Sequence, residues 1–261
     1  MNLPPLDTRK NKSSLSIARF VFFDLGDTLI YFDGDWTKVL QRSAKCLWKN
    51  LVAAGYPLNR EQFSRDFSDR MRKYYMDRNK NLVEYTSARV LQDCLMDLGF
   101  PEPEPEIIRN ALKALYSVSQ EFWNLEEDSL PTLHFLQEQD FRLGLISNAS
   151  DVDDVYALLG KFNLTEYFEH IIISADFGMR KPHREIFLEG LRLFQAEPQD
   201  CFMVGDRLDM DILGANQVNM PSIWITRRSI HKGNEFGFDV KPDFEIYALS
   251  EIKEIVKSTE K

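Results

Sequence analysis

The hydrophobic pattern of the chain changes period along its length. Residues 18–23 (ARFVFF) form a short, mostly apolar run that ends at Asp24, the pattern of a strand buried on both faces. Four later runs read the same way: 141–146 (FRLGLI), 170–173 (HIII), 201–204 (CFMV) and 221–225 (PSIWI), with a last short strand near 243–246. Helices are predicted between them over 129–139, 152–163, 184–196 and 208–218, and a closing one near 249–258. Strand alternating with helix at this spacing predicts βαβ units, hence an α/β fold with a doubly wound, Rossmann-like parallel sheet covered on both sides.

Residues 35–125 carry a different period. The segments 36–54, 60–77, 85–98 and 107–123 each place apolar residues three and four apart; in the last, Ile107, Ile108, Ala111, Leu112, Leu115 and Phe122 trace one face. Turn signals separate the segments (Gly55-Tyr56-Pro57, residues 79–81, and the Pro-Glu alternation of 101–105), and no strand is predicted among them. The expected plan is a flexible tail over 1–16, an α/β core made of 17–34 and 126–261, and an all-helical insertion over 35–125. Trp48 and Trp123 are expected to pack the helical bundle, and Gly34 to serve as a hinge.

Composition narrows the class. An apolar fraction of 44% and a charged fraction of 28% are ordinary globular values. Thirty-two basic against forty-one acidic residues give a net charge of -9, which argues against a nucleic-acid footprint and against adsorption to anionic lipid. No apolar run approaches the ~20 residues of a membrane span, and the first sixteen residues have no apolar stretch of the kind a secretory signal needs. Cys46, Cys94 and Cys201 are spread singly, with no disulfide framework or metal-ligand spacing, and are read as core residues. A cytoplasmic protein is expected, monomeric or homodimeric, without nucleic-acid or membrane partners.

In an open parallel sheet the ligand sits beyond the carboxyl ends of the strands. The residues there are Asp24-Leu25-Gly26-Asp27-Thr28-Leu29 after the first run, Ser147-Asn148 after 141–146, and Arg180-Lys181-Pro182 past 170–173. After 201–204 comes Gly205-Asp206, with Asp209 and Asp211 ahead of Gly214-Ala215. Asp24 suits a carboxylate nucleophile toward phosphorus. Asp24 and Asp206 supply hard oxygen ligands for Mg²⁺, and Gly26 lets backbone approach a metal closely. Ser147 and Lys181 can hold phosphoryl oxygens as hydrogen-bond donor and point charge. Singly, each has a blander reading as a turn residue, helix cap or surface charge. Their joint placement after successive strands favours a site.

These residues resemble the four motifs of the haloacid dehalogenase-like hydrolase superfamily, in the phosphatase subgroup with a helical cap inserted after the first strand. The first motif, usually DxDGT followed by Leu or Val, stands as Asp24–Leu29; the second as Leu145-Ile146-Ser147-Asn148. The third is Lys181-Pro182 with Ile186-Phe187, and the fourth Gly205-Asp206 with Asp211 before Gly214-Ala215. The resemblance covers about residues 18–255. It implies a hydrolase of small phosphorylated metabolites acting through an aspartyl-phosphate on Asp24. By the same resemblance Asp206 and the Gly26 carbonyl are Mg²⁺ ligands, Asp211 supports the metal, and Ser147, Asn148 and Lys181 bind phosphate.

One departure stands out. Family phosphatases place an acid/base aspartate two residues after the nucleophile; here Gly26 occupies that place and Asp27 follows it. A one-residue shift along a turn re-aims a side chain, so Asp27 does not simply inherit the role. Either substrates have good leaving groups, or a cap residue or Asp27 through an altered turn supplies the proton, or the protein binds phosphate with little turnover. Family dehalogenases also lack this aspartate and attack carbon without a metal. A phosphonatase-type variant would need a cap lysine, with Lys38, Lys45 and Lys49 as candidates. The basic residues Arg60, Arg65, Arg70, Arg72, Lys73 and Arg78 read as a solvated face, and His134, His170, His183 and His231 share no metal-ligand spacing.

Overall fold

The structure, a computed structural model, describes residues 20–229 and 240–259. The tail 1–16, residues 18 and 19 of the first predicted strand, and His231 with most of the 227–242 loop lie outside the described residues. From the N-terminal side, β1 (Phe20–Phe23) and a short β2 (Ile30–Phe32) lead into four helices, α1 (Trp36–Ala53), α2 (Arg60–Asn81), α3 (Ser87–Asp97) and α4 (Pro105–Gln120), and a short β3 (Trp123–Leu125). There follow α5 (Ser129–Glu138), β4 (Arg142–Ser147), α6 (Val152–Lys161), β5 (His170–Ile173), α7 (Ser174–Phe177) and α8 (Arg184–Phe194). The chain closes with β6 (Cys201–Gly205), α9 (Leu213–Gln217), β7 (Ser222–Ile225), β8 (Phe244–Ile246) and α10 (Ile252–Thr259).

Six strands form one sheet in the order β5-β4-β1-β6-β7-β8, every pair parallel. Side chains alternate between its faces because successive Cβ atoms on a strand point opposite ways. Val21, Phe23, Leu143, Leu145, Phe202 and Val204 pack with α5, α6 and α10 through Leu133, Leu136, Leu158, Leu159, Ile252 and Val256. Phe22, Ile146 and Met203 pack on the other face with α8 and α9 through Ile186, Phe187, Leu191 and Ala215. Burial on both faces is what the unbroken apolar runs require. The core is close-packed where Gly144 and Gly190 both lie against the Phe22 ring: a Cβ at either would come within 3.0 Å of it.

The four helices between β2 and β3 share an apolar core of their own, including Leu47, Leu51, Phe63, Leu91, Leu95, Ala111 and Leu112. Side chains cap the first three of these helices, and a proline opens the fourth. The Asp35 carboxylate accepts from the N–H groups of Thr37 and Lys38, Asn59 caps α2, Thr86 caps α3, and Pro105 opens α4.

Two expectations are corrected. The helix predicted over 107–123 ends at Gln120, and Trp123–Leu125 is instead a strand paired antiparallel with β2 (Phe32↔Trp123, Ile30↔Leu125). Its partner lies some ninety residues earlier, so helical spacing within a local window could not reveal it. This ribbon carries both connections between the sheet and the four helices. Trp123 therefore lies at that junction and against Gly26, rather than in the bundle core. The helix predicted over 208–218 begins with one π-helical turn at Leu208–Ile212, in which the N–H groups of Asp211 and Ile212 both reach the Arg207 carbonyl.

Candidate functional site

The strand order places β1 between β4 and β6, so the residues following these three strands share one crevice. Asp24 directly follows β1, and its N–H donates to the Val204 carbonyl (2.9 Å), which fixes the carboxylate at the sheet edge. Asp206 directly follows β6, its carbonyl held by the Trp224 indole N–H (2.9 Å). Asp211 is brought back toward it by the π turn and accepts the Arg207 N–H (3.0 Å). Gly205 makes this fit possible: a Cβ there would stand 2.3 Å from Asp211 Cγ.

Lys181 ties the crevice together from the opposite side. Its Nζ lies 2.6 Å from Asp24 Oδ1, 2.6 Å from Asp211 Oδ1 and 2.6 Å from the Ile146 carbonyl, and the residue is 1% exposed. Asn148 clasps the lysine's backbone in both directions, accepting its N–H (2.8 Å) and donating to its carbonyl (3.0 Å). The Asn148 amide is thus committed to positioning Lys181. Ser147 ends β4 and is buried beside the crevice, but it does not line the cavity of about 320 Å³ that opens over the acids.

Asp24, Asp206 and Asp211 are all buried and offer carboxylate oxygens within 4.8 Å of one another. The Lys181 ammonium pairs with Asp24 and Asp211, while Arg207 is the positive charge that acts on Asp206. Burial, with Asp211, Asp24 and Asp27 added, pushes Asp206 up to about 9. Burial also raises Asp211 to about 6, against the pull of Lys181. Burial disfavours the charge on Lys181, yet Asp211 and Asp24 hold its pKa above the ordinary value. Three buried carboxylates whose hard oxygens lie close enough to share one ion fit Mg²⁺ by their donor chemistry.

Asp27 lines the same cavity. It has a left-handed backbone (φ 57°), and its N–H donates to the Ile30 carbonyl (2.6 Å), closing a tight turn. Burial raises its carboxyl pKa, with Arg228 and Arg207 acting against the rise. At Gly26, a Cβ would stand 3.3 Å from the Trp123 ring edge. The indole therefore presses on the place where a side chain at 26 would begin.

Sequence reasoning missed Glu84. It sits between α2 and α3 with no exposed side-chain surface, and it receives the hydroxyls of Ser174 (2.7 Å) and Tyr74. Arg78 of α2 (3.4 Å) and Arg180 of the sheet loop (3.5 Å) flank it as counter-charges. Backbone bonds run alongside, from Glu84 N–H to the Gly178 carbonyl and from Arg180 N–H to the Leu82 carbonyl, each 3.0 Å. Arg78 and Arg180 both line the acid cavity, so this clamp fixes the helical segment directly beside Lys181. A single Glu in a short loop, between Val83 and Tyr85, carries no local signal of burial. Arg78 does belong to the basic run read as solvated, and it is the member drawn inward.

The remaining candidates fall elsewhere. His183 caps α8, its Nδ1 accepting from the Glu185 N–H (3.3 Å). Arg207 pairs with Asp209 (2.8 Å). Lys38, Lys45 and Lys49 are exposed on α1 and line neither this cavity nor the larger one beside it. Cys94 and Cys201 are buried and free, and Cys46 is half-buried. Among the described residues no helix is long and apolar enough to cross a membrane.

Comparison with known proteins places this geometry among relatives. The family model for haloacid dehalogenase-like hydrolases matches residues 18–219. A glyceraldehyde 3-phosphate phosphatase from Methanopyrus kandleri is 27% identical over 247 residues, 94% of this chain and 100% of that protein. A protein of the same name from Pyrococcus abyssi is 29% identical over 210 residues, 80% of this chain and 81% of that one. The crystal structure of a 2-haloacid dehalogenase from Pseudomonas syringae pv. Tomato superposes with a TM-score of 0.66 at 25% identity, covering 92% of this chain and 98% of that one.

Proposed function

This chain belongs to the haloacid dehalogenase-like hydrolase family, and from that premise we propose that it is a Mg²⁺-dependent phosphatase of small phosphorylated metabolites. The observation that carries the reading is the buried cluster of Asp24, Asp206 and Asp211 around Lys181. The names of the phosphatase relatives support it. Residues 35–125 act as a cap, with the β2–β3 ribbon and Gly34 as the hinge region.

In this reading the Asp24 carboxylate attacks phosphorus, and the P–O bond to the alcohol breaks as the aspartyl-phosphate forms. Water then attacks phosphorus, releasing phosphate and regenerating the carboxylate. Lys181 holds and orients Asp24 and supplies positive charge to the phosphoryl oxygens. Asn148 holds Lys181 in place. Asp24, Asp206 and the Gly26 carbonyl would hold Mg²⁺, supported by Asp211, and the ion would offset repulsion between nucleophile and phosphoryl group. Asp27, in its altered turn, protonates the departing alkoxide and then takes the proton of the attacking water, a role worth ~10²–10⁴ in rate.

Phosphate release from a panel of esters and acyl phosphates, with Mg²⁺ and with EDTA, tests the reading beside Asp24→Asn and Asp27→Asn. Loss of activity in EDTA and in Asp24→Asn is expected. Asp27→Asn should slow alkyl esters by several hundred-fold and acetyl phosphate far less. Activity indifferent to Asp24→Asn would remove the central claim.

A dehalogenase is the second reading, favoured by Gly26 in place of the usual acid and by the fold's likeness to the Pseudomonas enzyme. Halide release from 2-haloacids in EDTA would establish it. Tight phosphate binding without turnover would instead make the protein a binding module.

A further inference from the structure

Beside the acid cavity lies a second, larger one of about 550 Å³, within the ~300–1,000 Å³ that take drug-sized ligands. Gly26, Arg78 and Asn148 line both, so a molecule with its phosphoryl group over Asp24 would extend its alcohol part into this space. The wall there is apolar: Trp36, Leu40, Phe67, Met71, Tyr75 and Trp123 face it. Trp36 is stacked on Phe32 at 3.7 Å and meets Trp123 edge-on at 6.4 Å, which gives the wall next to Gly26 a fixed aromatic surface.

Two further observations bear on what fits. Trp36, Leu40 and Tyr75 remain 48%, 55% and 39% exposed although they belong to this wall. Contiguous apolar exposure of this kind marks a surface that a ligand or partner covers. Most polar groups on the wall are also engaged already. The Tyr116 hydroxyl is bonded to Ser87 and Ser150, and Asp154 takes the Gln120 amide (2.7 Å). Asp151 caps α6, and Arg72 pairs with Asp69 (3.1 Å). Sugar hydroxyls would find few free partners here, and burying them unpaired costs binding energy.

We propose that the cavity selects phosphate monoesters whose alcohol part is a bulky apolar or aromatic group, in preference to three-carbon sugar phosphates. The inference rests on the phosphatase reading for its chemistry, but the cavity's preference can be measured without turnover. Tenfold discrimination needs only about 55 Å² of apolar surface buried, at ~25 cal/mol per Å².

Two measurements decide it. In the first, calorimetry on the wild-type protein with Mg²⁺ compares 3-(2-naphthyl)propylphosphonate with propylphosphonate, neither of which can be hydrolysed at phosphorus. The naphthyl compound should bind at least tenfold more tightly, and Ala44→Phe, which fills the α1 side of the cavity, should bring the ratio toward one. Equal dissociation constants in the wild type overturn the proposal. In the second, kcat/KM is compared for 2-(2-naphthyl)ethyl phosphate, ethyl phosphate and glyceraldehyde 3-phosphate, all primary alkyl esters. A preference of tenfold or more for the naphthyl ester is expected, and a sugar phosphate turned over as well overturns the proposal. No phosphate release from any ester or from acetyl phosphate would defeat the phosphatase reading alone, since the binding ratio still judges the cavity.

Discussion

Glu84→Gln tests the clamp between the helical segment and the sheet loop. The substitution keeps volume and an acceptor for Ser174 but removes the charge that faces Arg180 and Arg78. Arg180 has 4% of its side chain exposed and Arg78 21%, so neither can recover full hydration. Leaving a buried partner uncompensated costs ~3–5 kcal/mol. The ion-pair distances of 3.4 and 3.5 Å are long, which places the expected loss at the low end, about 3 kcal/mol. Urea unfolding at pH 7, followed by circular dichroism and tryptophan fluorescence, reads the change and shows whether both parts of the chain unfold together. If the cost is the stranded guanidinium, adding Arg180→Met should recover at least half of it, a coupling that a double-mutant cycle isolates. A loss below about 1 kcal/mol in Glu84→Gln, or no recovery in the double variant, would refute the reasoning.

Three other outcomes follow from the same geometry. Gly205→Ala, whose Cβ would overlap Asp211, should lose both Mg²⁺-dependent activity and several degrees of melting temperature, whereas Gly160→Ala, with open space around it, should lose neither. Gly26→Asp alone should gain little turnover because its Cβ meets the Trp123 ring, while Gly26→Asp with Trp123→Leu should speed alkyl phosphate hydrolysis; the kcat of the two variants decides. Burial raises Asp154 to about 7, so the folded state binds its proton more tightly than the unfolded chain does. Its contribution is complete below the unfolded value near 3.8 and is lost as pH rises through about 7. Asp154→Asn should therefore raise the melting temperature at pH 8 and leave it nearly unchanged at pH 4; an equal shift at both would show that ionisation is not the cause.

The α/β alternation was legible in the sequence because the strands are buried on both faces. Runs such as FVFF and HIII need no partner to declare themselves, and the helices between them carry their own period and caps. The order of the acids, the lysine and the Ser-Asn pair after successive strands was equally legible, since parallel topology sends every strand's carboxyl end to the same edge. Tertiary structure decided what depends on distant partners. Trp123 is a strand residue because Phe32 lies beside it, and Gly26 faces an indole rather than open solvent. Asn148 serves the lysine backbone and Glu84 becomes a buried anchor for Arg180 and Ser174, each through a contact across tens of residues, and Arg78 turns inward to the Glu84 so buried. Local periodicity reports which face of an element is buried; only the packed chain reports against what.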